Sequence, residues 1–242
     1  MMDQQRVPLR QRRELGLIVN DAFTVYSRYF PAFFSIAMVV IPLGVASGIF
    51  ADRIKDDAVE AGVVAVIDIG QLLVSLLAAA ALLAALVEVD AGRLPDFGKA
   101  YDEAFARIGT LVGGMLRVTF HVVLFMITIV GIPWAIQRLV RWLFVQQAIM
   151  IDATGAQEAL SRSASAVDGS WWRTLGVWVV LSMLAGVPVA IATLLARAMP
   201  VVIGSTLSAT MNALTLPFLV TAQTLFYFDL RARKESYDVS PA

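Results

Sequence analysis

The sequence contains no cysteine, a single histidine and few charged residues. Without cysteine it can form neither a disulfide framework nor a thiolate metal site. Charged residues make up 16% of the chain, whereas ordinary soluble domains contain about 25%. Nineteen basic and nineteen acidic residues leave no formal net charge, so overall charge indicates no partner. Hydrophobic residues make up 59% of the chain, and their arrangement decides its class.

The hydrophobic residues are grouped in runs of about 20 residues, the length that an α-helix needs to cross a bilayer. They predict an all-α membrane protein with six transmembrane helices, at 31–50, 62–89, 109–131, 133–151, about 171–195 and about 199–227. The predicted organisation is an N-terminal amphipathic interfacial segment (1–30), a six-span membrane domain (31–228) and a basic tail (229–242).

Three amphipathic helices are predicted beside these spans, at 10–28, 96–108 and 155–168. The first is expected to lie on the membrane surface, with Arg13 on its polar face. Asp96 is the expected N-cap of the second. Thr154 and Gln157 predict a capping box for the third, and Gly169 its C-terminal stop. Each amphipathic helix precedes a pair of spans, which suggests a threefold repeat, although any six-helix protein divides into three hairpins.

Small residues, which let helix backbones approach closely in lipid, are concentrated at two places. The second span is rich in alanine over 78–85, and Gly109 and Gly113 form a G-x-x-x-G pair in the third span. Both stretches are expected to contact neighbouring helices. The glycine pair is the weaker signal of helix packing, because the G-x-x-x-G motif is common.

The distribution of Lys and Arg predicts the orientation, because these residues accumulate on the cytoplasmic side of membrane proteins. If the segment 133–151 crosses the bilayer, thirteen of them lie inside and three outside. If it only dips into the bilayer, five of the thirteen move outside and the count becomes eight against eight. The uneven distribution favours six spans, with both termini and the three amphipathic helices on the cytoplasmic side.

Five ionisable residues are predicted to lie within the spans: Asp68, Arg117, His121, Arg138 and Arg141. Such residues are functional candidates by default, for example in an ion pathway. The alternative is a structural role in buried pairs, with His121 as a packing residue. At 1.5 Å per residue, Asp68 lies about 9 Å inside its span, and Arg138 and Arg141 about 8 and 12 Å inside theirs. We therefore expect an ion pair between Asp68 and one arginine, the alternative being arginines that reach outward to the headgroups.

Two stretches, EALSRSASAVDGSWWRTLG (158–176) and FYFDLRARKESYD (226–238), resemble motifs of a known group. The group consists of bacterial integral membrane proteins related to the membrane domain of glycerophosphoryl diester phosphodiesterase. The matching motif residues include Glu158, Ser163, Gly169, Trp171, Trp172, Arg173, Asp229, Arg231 and Arg233. The chain departs from the pattern at Phe228, where the family has Tyr, and at Ser236, where it often has Gly. The resemblance implies a multi-pass protein of the bacterial plasma membrane.

The resemblance is to the membrane domain alone, and it implies no enzyme. In that family hydrolysis belongs to a separate barrel domain with paired histidines and metal-binding carboxylates, whereas this chain has only His121. The sequence also has no glycine-rich phosphate loop and no G-x-S-x-G elbow. We therefore expect no catalytic residues, no cofactor and no metal site.

Two classes of function stay open from the sequence. The first is a lipid-associated or scaffolding membrane protein, whose basic N-terminal cluster and tail attract anionic lipid. The alternative is a transporter or channel that uses the intramembrane charges. The expected partners are membrane lipids, with a cytoplasmic or membrane protein as a further alternative and no nucleic acid. The sequence does not predict an oligomeric state.

Overall fold

The computed structural model describes residues 10–53, 57–152 and 154–238, and within these ranges the chain is helical and contains no strand. The helices are α1 (Leu15–Arg28), α2 (Phe30–Ala37), α3 (Ile41–Arg53), α4 (Asp57–Asp90), α5 (Phe97–Ala106), α6 (Ile108–Met126), α7 (Ile132–Arg141), α8 (Val145–Asp152), α9 (Ala156–Val167), α10 (Trp171–Ala196) and α11 (Val201–Asp238). The all-α prediction is therefore confirmed.

Five stretches of the described chain are long and apolar enough to cross a membrane. They are Phe30–Ala51, Gly62–Asp90, Ile108–Met126, Trp171–Ala196 and Val201–Lys234. These stretches coincide with the first, second, third, fifth and sixth predicted spans. Large apolar side chains along them are exposed, for example Phe120 at 65% and Met183 at 62%, as lipid-facing surfaces are. The chain is a membrane-embedded helical protein.

The prediction of one continuous helix over 133–151 is wrong. The segment forms two short helices, α7 and α8, joined by a turn through Trp142, Leu143 and Phe144. The backbone leaves the α-helical ladder here because the Phe144 amide donates to the Ser163 hydroxyl of α9, at 3.0 Å. The same hydroxyl donates to the Arg141 carbonyl at 2.8 Å, so both polar groups at the break are satisfied.

The beginning of α1, the beginning of α10 and the last turns of α11 lie at one end of the bundle. The backbone amide of Arg13 and the guanidinium of Arg173 both bind the carboxylate of Asp229. The end of α4 joins them, because Arg10 forms a 2.9 Å ion pair with Asp90. We call this the basic end of the bundle.

The amphipathic helices α1, α5 and α9 pack against the long helices through fully buried alanines, Ala22, Ala104 and Ala159 respectively. Asp96 caps α5 as predicted, since its carboxylate accepts from the Lys99 amide at 2.9 Å. Gly169 follows α9 with a φ of 75°, which fits its predicted place as a C-terminal stop.

The capping box predicted for α9 is wrong. Its N-cap is Gly155, which offers no side-chain hydrogen bond. The Thr154 hydroxyl instead donates to the carbonyl of Ala148, in the middle of α8, at 3.1 Å. The hydroxyl is thus used to close the turn between α8 and α9, where it is buried.

Each of the three amphipathic helices donates a hydroxyl hydrogen to a backbone carbonyl of another helix. Tyr101 of α5 donates to Ile36, just before the 3₁₀ turn that separates α2 from α3, at 2.8 Å. Tyr26 of α1 donates to Leu214, three residues before Pro217 of α11, at 2.9 Å. Ser163 does the same for α7. Burial raises the pKa of Tyr101 to about 12.

Candidate functional sites

Asp229 is the centre of a network that holds the basic end together. Its side chain is fully buried and accepts hydrogen bonds from the Arg13 amide at 2.6 Å and from Arg173 Nη1 at 2.6 Å. Arg233 Nε reaches both of its oxygens, at 2.9 and 3.1 Å. Because a buried carboxylate is costly unless it is paired, these contacts make its burial tolerable.

Arg13 lies beneath this network rather than on the exposed polar face predicted for it. Its side chain is fully buried, with Nε 2.7 Å from Asp21 Oδ2. Its carbonyl accepts from both Arg173 and Arg233, each at 3.0 Å. The surface position was wrong because Arg13 precedes α1, where the helix periodicity used to assign its face does not apply.

A second network surrounds Asp152 at the end of α8. Its two oxygens bind the Tyr227 hydroxyl at 2.7 Å and Arg231 Nη1 at 2.5 Å, and Arg162 lies 3.6 Å away. Arg162 also pairs with Glu158, and that hydrogen bond raises the pKa of Arg162. The side chains around Asp152 are thus mainly cationic.

Beside Asp152 lies a cavity of about 200 Å³, here called the basic-end pocket, lined by Asp152, Arg162, Ser165, Ala166, Tyr227, Arg231 and Lys234. Three cations and one carboxylate face it, so its wall carries an excess of positive charge. Lys234 also donates to the Ser165 carbonyl. Such a cavity offers charged donors to an anionic group.

The two motif stretches meet in the structure, because Arg173 of the first and Asp229 of the second form the network described above. Other motif residues have local structural roles: Ser163 closes the break after α7, and Gly169 adopts the left-handed conformation after α9. Trp172 is 79% exposed, which suits the predicted interfacial position. The adjacent Trp171 packs edge-on against it, with ring centroids 4.6 Å apart.

Three of the predicted intramembrane residues come together on the hairpin of α6 and α7. Trp142 lies between the His121 ring and the Arg138 guanidinium, which are 5.2 Å and 5.2 Å from its ring. The third residue is Arg117, whose backbone carbonyl oxygen forms a 2.7 Å hydrogen bond with His121 Nδ1. All three of these ionisable side chains are exposed on this hairpin.

The ion pair predicted between Asp68 and an arginine of α7 is wrong. Asp68 Oδ1 accepts from the Ser47 hydroxyl at 3.0 Å, whereas Arg141 lies 3.7 Å from Asp168. Arg138 stacks on Trp142. The predicted depths of these residues were comparable, but Asp68 faces α3 and α11, whereas the helix α7 that carries the arginines packs against α6, α9 and α10.

Asp68 lines a polar cavity of about 410 Å³ between α3, α4 and α11. Its wall also contains Ser47, Gln71, Ser75, Ser205, Ser208 and Asn212. Apart from Asp68, none of these residues was predicted from the sequence, since a single serine or asparagine on an apolar helix is an ordinary occurrence. The signal that could have found the cavity is the clustering of polar residues at 205, 208 and 212 on one face of α11.

Close helix packing occurs at glycines other than the predicted pair. A Cβ on Gly48 would lie 2.6 Å from Cβ of Ser205, and one on Gly44 would lie 3.1 Å from Cβ of Ala209. These glycines bring α3 and α11 together beside the polar cavity. By contrast, a Cβ on Gly109 would meet nothing within 4 Å, so the predicted pair of small residues is not a contact there. The alanine-rich part of α4, 78–85, is buried as expected.

In comparisons with known proteins, no protein-family model, no curated protein and no solved structure matches the chain. Within the described residues, no group of three or more His, Cys, Asp or Glu side chains could hold a metal ion.

Proposed function

We propose that the protein is a lipid-associated scaffold of the bacterial plasma membrane that binds anionic headgroups at its basic end, and that it is not an enzyme. The observation that carries this proposal is the basic-end pocket, where Arg162, Arg231 and Lys234 surround one cavity beside the amphipathic helix α9. The phosphate group of a lipid would contact cationic hydrogen-bond donors there. The acyl chains of the same lipid would lie along the exposed apolar sides of the bundle.

The proposed topology has six crossings, with the basic end in the cytoplasm. The beginnings of α1 and α10 and the last turns of α11 meet at Asp229, at the basic end. In the proposed topology α6 leads away from this end, so the chain must return to it between α6 and α10. In this proposal the return is made by α7 and α8 together, as a crossing broken at Trp142. The matching hydroxyl contacts of α1, α5 and α9 support the threefold repeat, and the joining of the two motif stretches supports the relation to the phosphodiesterase membrane domain.

The orientation can be tested in this cysteine-free chain with single cysteines at Arg162 and Arg197. Arg162 lies beside the basic-end pocket, and Arg197 is exposed between α10 and α11. We expect an impermeant thiol reagent to label only Arg197→Cys on intact cells and both variants after lysis. Labelling of Arg162→Cys on intact cells would contradict the cytoplasmic position of the basic end.

The lipid proposal is tested by titrating phosphatidylglycerol into the purified protein and recording bound lipid by native mass spectrometry. We expect Arg162→Gln and Lys234→Gln each to weaken binding about fivefold, since each removes one charge near the headgroup. Arg197→Gln is the matched control, because it removes one exposed charge away from the basic end, and it should leave the affinity unchanged. Equal losses of affinity in all three variants, or equally strong binding of phosphatidylcholine, would refute the proposal that the basic-end pocket binds anionic headgroups.

The alternative of a transporter or channel is supported by a different observation, the polar cavity around Asp68. A cavity lined by a carboxylate and neutral oxygens within the membrane region is typical of sites on ion pathways. The residues at the basic end do not contribute to it.

A further inference from the structure

The polar cavity between α3, α4 and α11 is formed by an uneven packing of three helices. Gly44 and Gly48 allow α3 to approach Ala209 and Ser205 of α11. Gln71 of α4 stands opposite, since its Oε1 would lie 3.9 Å from a Cβ on Gly44. The space left between the three helices is the cavity of about 410 Å³, large enough for an ion with several waters.

Two polar side chains that line this cavity donate a hydrogen bond to the backbone of their own helix. Ser205 donates its hydroxyl hydrogen to the Val201 carbonyl at 2.7 Å, and Asn212 donates Nδ2–H to the Ser208 carbonyl at 3.0 Å. Each donor is therefore used on its own helix. The hydroxyl oxygen of Ser205 and the side-chain carbonyl of Asn212 keep acceptor capacity.

Gln71 provides the most specific observation. Its amide nitrogen donates to Ser75 at 3.5 Å, but its carbonyl oxygen Oε1 is buried and has no hydrogen-bond partner within the described part of the chain. A buried polar atom without a partner needs an explanation, and a bound ion or water supplies one. Gln71 and Asp68 are both among the residues that line this cavity.

Asp68 supplies the only formal charge among the residues that line the cavity. The Ser47 hydroxyl binds one of its oxygens, and no ion pair of Asp68 is found among the described residues. Because an unpaired carboxylate in a membrane helix is costly, a cation near it would lower that cost. One negative charge among neutral oxygens matches a single positive charge, whereas divalent ions are usually bound by several carboxylates.

We propose that this cavity binds an alkali metal cation, held by the carboxylate of Asp68, the Oε1 atom of Gln71 and hydroxyl oxygens of the adjoining helices. Hard cations prefer oxygen ligands, and this wall offers oxygens from three different helices. Binding would fasten α4 to the packed pair of α3 and α11. The site is separate from the basic-end pocket, so this proposal does not rest on lipid binding.

The experiment measures the thermal unfolding of the purified full-length protein in detergent. Sodium, potassium or lithium chloride is titrated at constant ionic strength and pH against N-methylglucamine chloride, whose organic ammonium cation cannot be coordinated by several oxygens as a bare metal ion is. We expect a saturable rise in melting temperature with at least one alkali cation. Asp68→Asn should weaken the apparent affinity for that cation at least about tenfold, because ligand charge strongly affects affinity.

The matched control is Asp102→Asn, which makes the same change at an exposed position of α5 and should retain the full cation effect. Gln71→Leu and Ser47→Ala remove neutral groups and provide a second test if Asp68→Asn does not fold. We expect Gln71→Leu to weaken the cation effect without abolishing folding. A melting temperature that is equal in all salts would overturn the proposal. So would an effect that persists in Asp68→Asn, or one that follows pH alone.

Discussion

Asp229→Ala is expected to lower the melting temperature of the protein in detergent by about 6–12 °C. The substitution leaves the Arg13 amide buried without its acceptor and removes the carboxylate that joins Arg173 to Arg233. Removing one partner of a buried charged network costs about 3 kcal/mol or more, and each kcal/mol corresponds to about 2–4 °C in a protein of this size. Fluorescence-detected thermal unfolding measures the change.

The matched control is Asp168→Ala. Asp168 is 73% exposed and lies 3.7 Å from Arg141, so its ion pair is screened by solvent and contributes little. We expect its melting temperature to stay within about 2 °C of the wild type. Similar shifts in the two variants would show that the Asp229 network does not hold the basic end together.

Gly48→Val is expected to push α3 away from α11. Its Cβ would lie 2.6 Å from the Cβ of Ser205, a distance that side chains do not tolerate. Overpacking of this kind costs about 2 kcal/mol, which corresponds to about 4–8 °C in melting temperature. Thermal unfolding in detergent is again the measurement.

Ser205→Gly should restore part of this loss in the double variant, because it removes the atom that the valine meets. The non-additivity of the two changes measures their contact directly. Gly62→Val provides the control, since a Cβ on Gly62 meets nothing within 4 Å. If the double variant is no more stable than Gly48→Val alone, the close contact of α3 and α11 does not exist as described.

The sequence predicted the positions of five membrane helices and of the three amphipathic helices, but not all of their ends: α1 begins five residues after its predicted start, and α11 continues eleven residues past its predicted end. Long apolar runs and i, i+3, i+4 periodicity are local properties, so a single sequence reveals them. The break at Trp142 was missed because its cause is not local. It depends on Ser163, which lies about twenty residues further along the chain and satisfies both polar groups at the break.

The incorrect ion pair shows a second limit of the sequence. The rise of an α-helix predicts how deep a residue lies, but not which helices are neighbours. Asp68 and Arg138 have similar predicted depths, but their side chains and helices have different neighbours: Asp68 faces α3 and α11, and α7 packs against α6, α9 and α10. The same limit hid the polar cavity, whose wall combines Ser47 and Gln71 of the consecutive helices α3 and α4 with Asn212 of the distant helix α11.

The length of α11 has a mechanical consequence. Its 38 residues extend about 57 Å, well beyond the roughly 30 Å of a hydrocarbon core. The helix carries Ser205 in the wall of the polar cavity and Asp229 at the basic end, about 36 Å apart along its axis. A continuous helix connects the polar cavity to the basic end, so a tilt of one half of α11 displaces the other half unless the helix bends at Pro217. The Tyr26 hydroxyl binds the Leu214 carbonyl, three residues before that proline, and this contact restrains bending of α11 at Pro217.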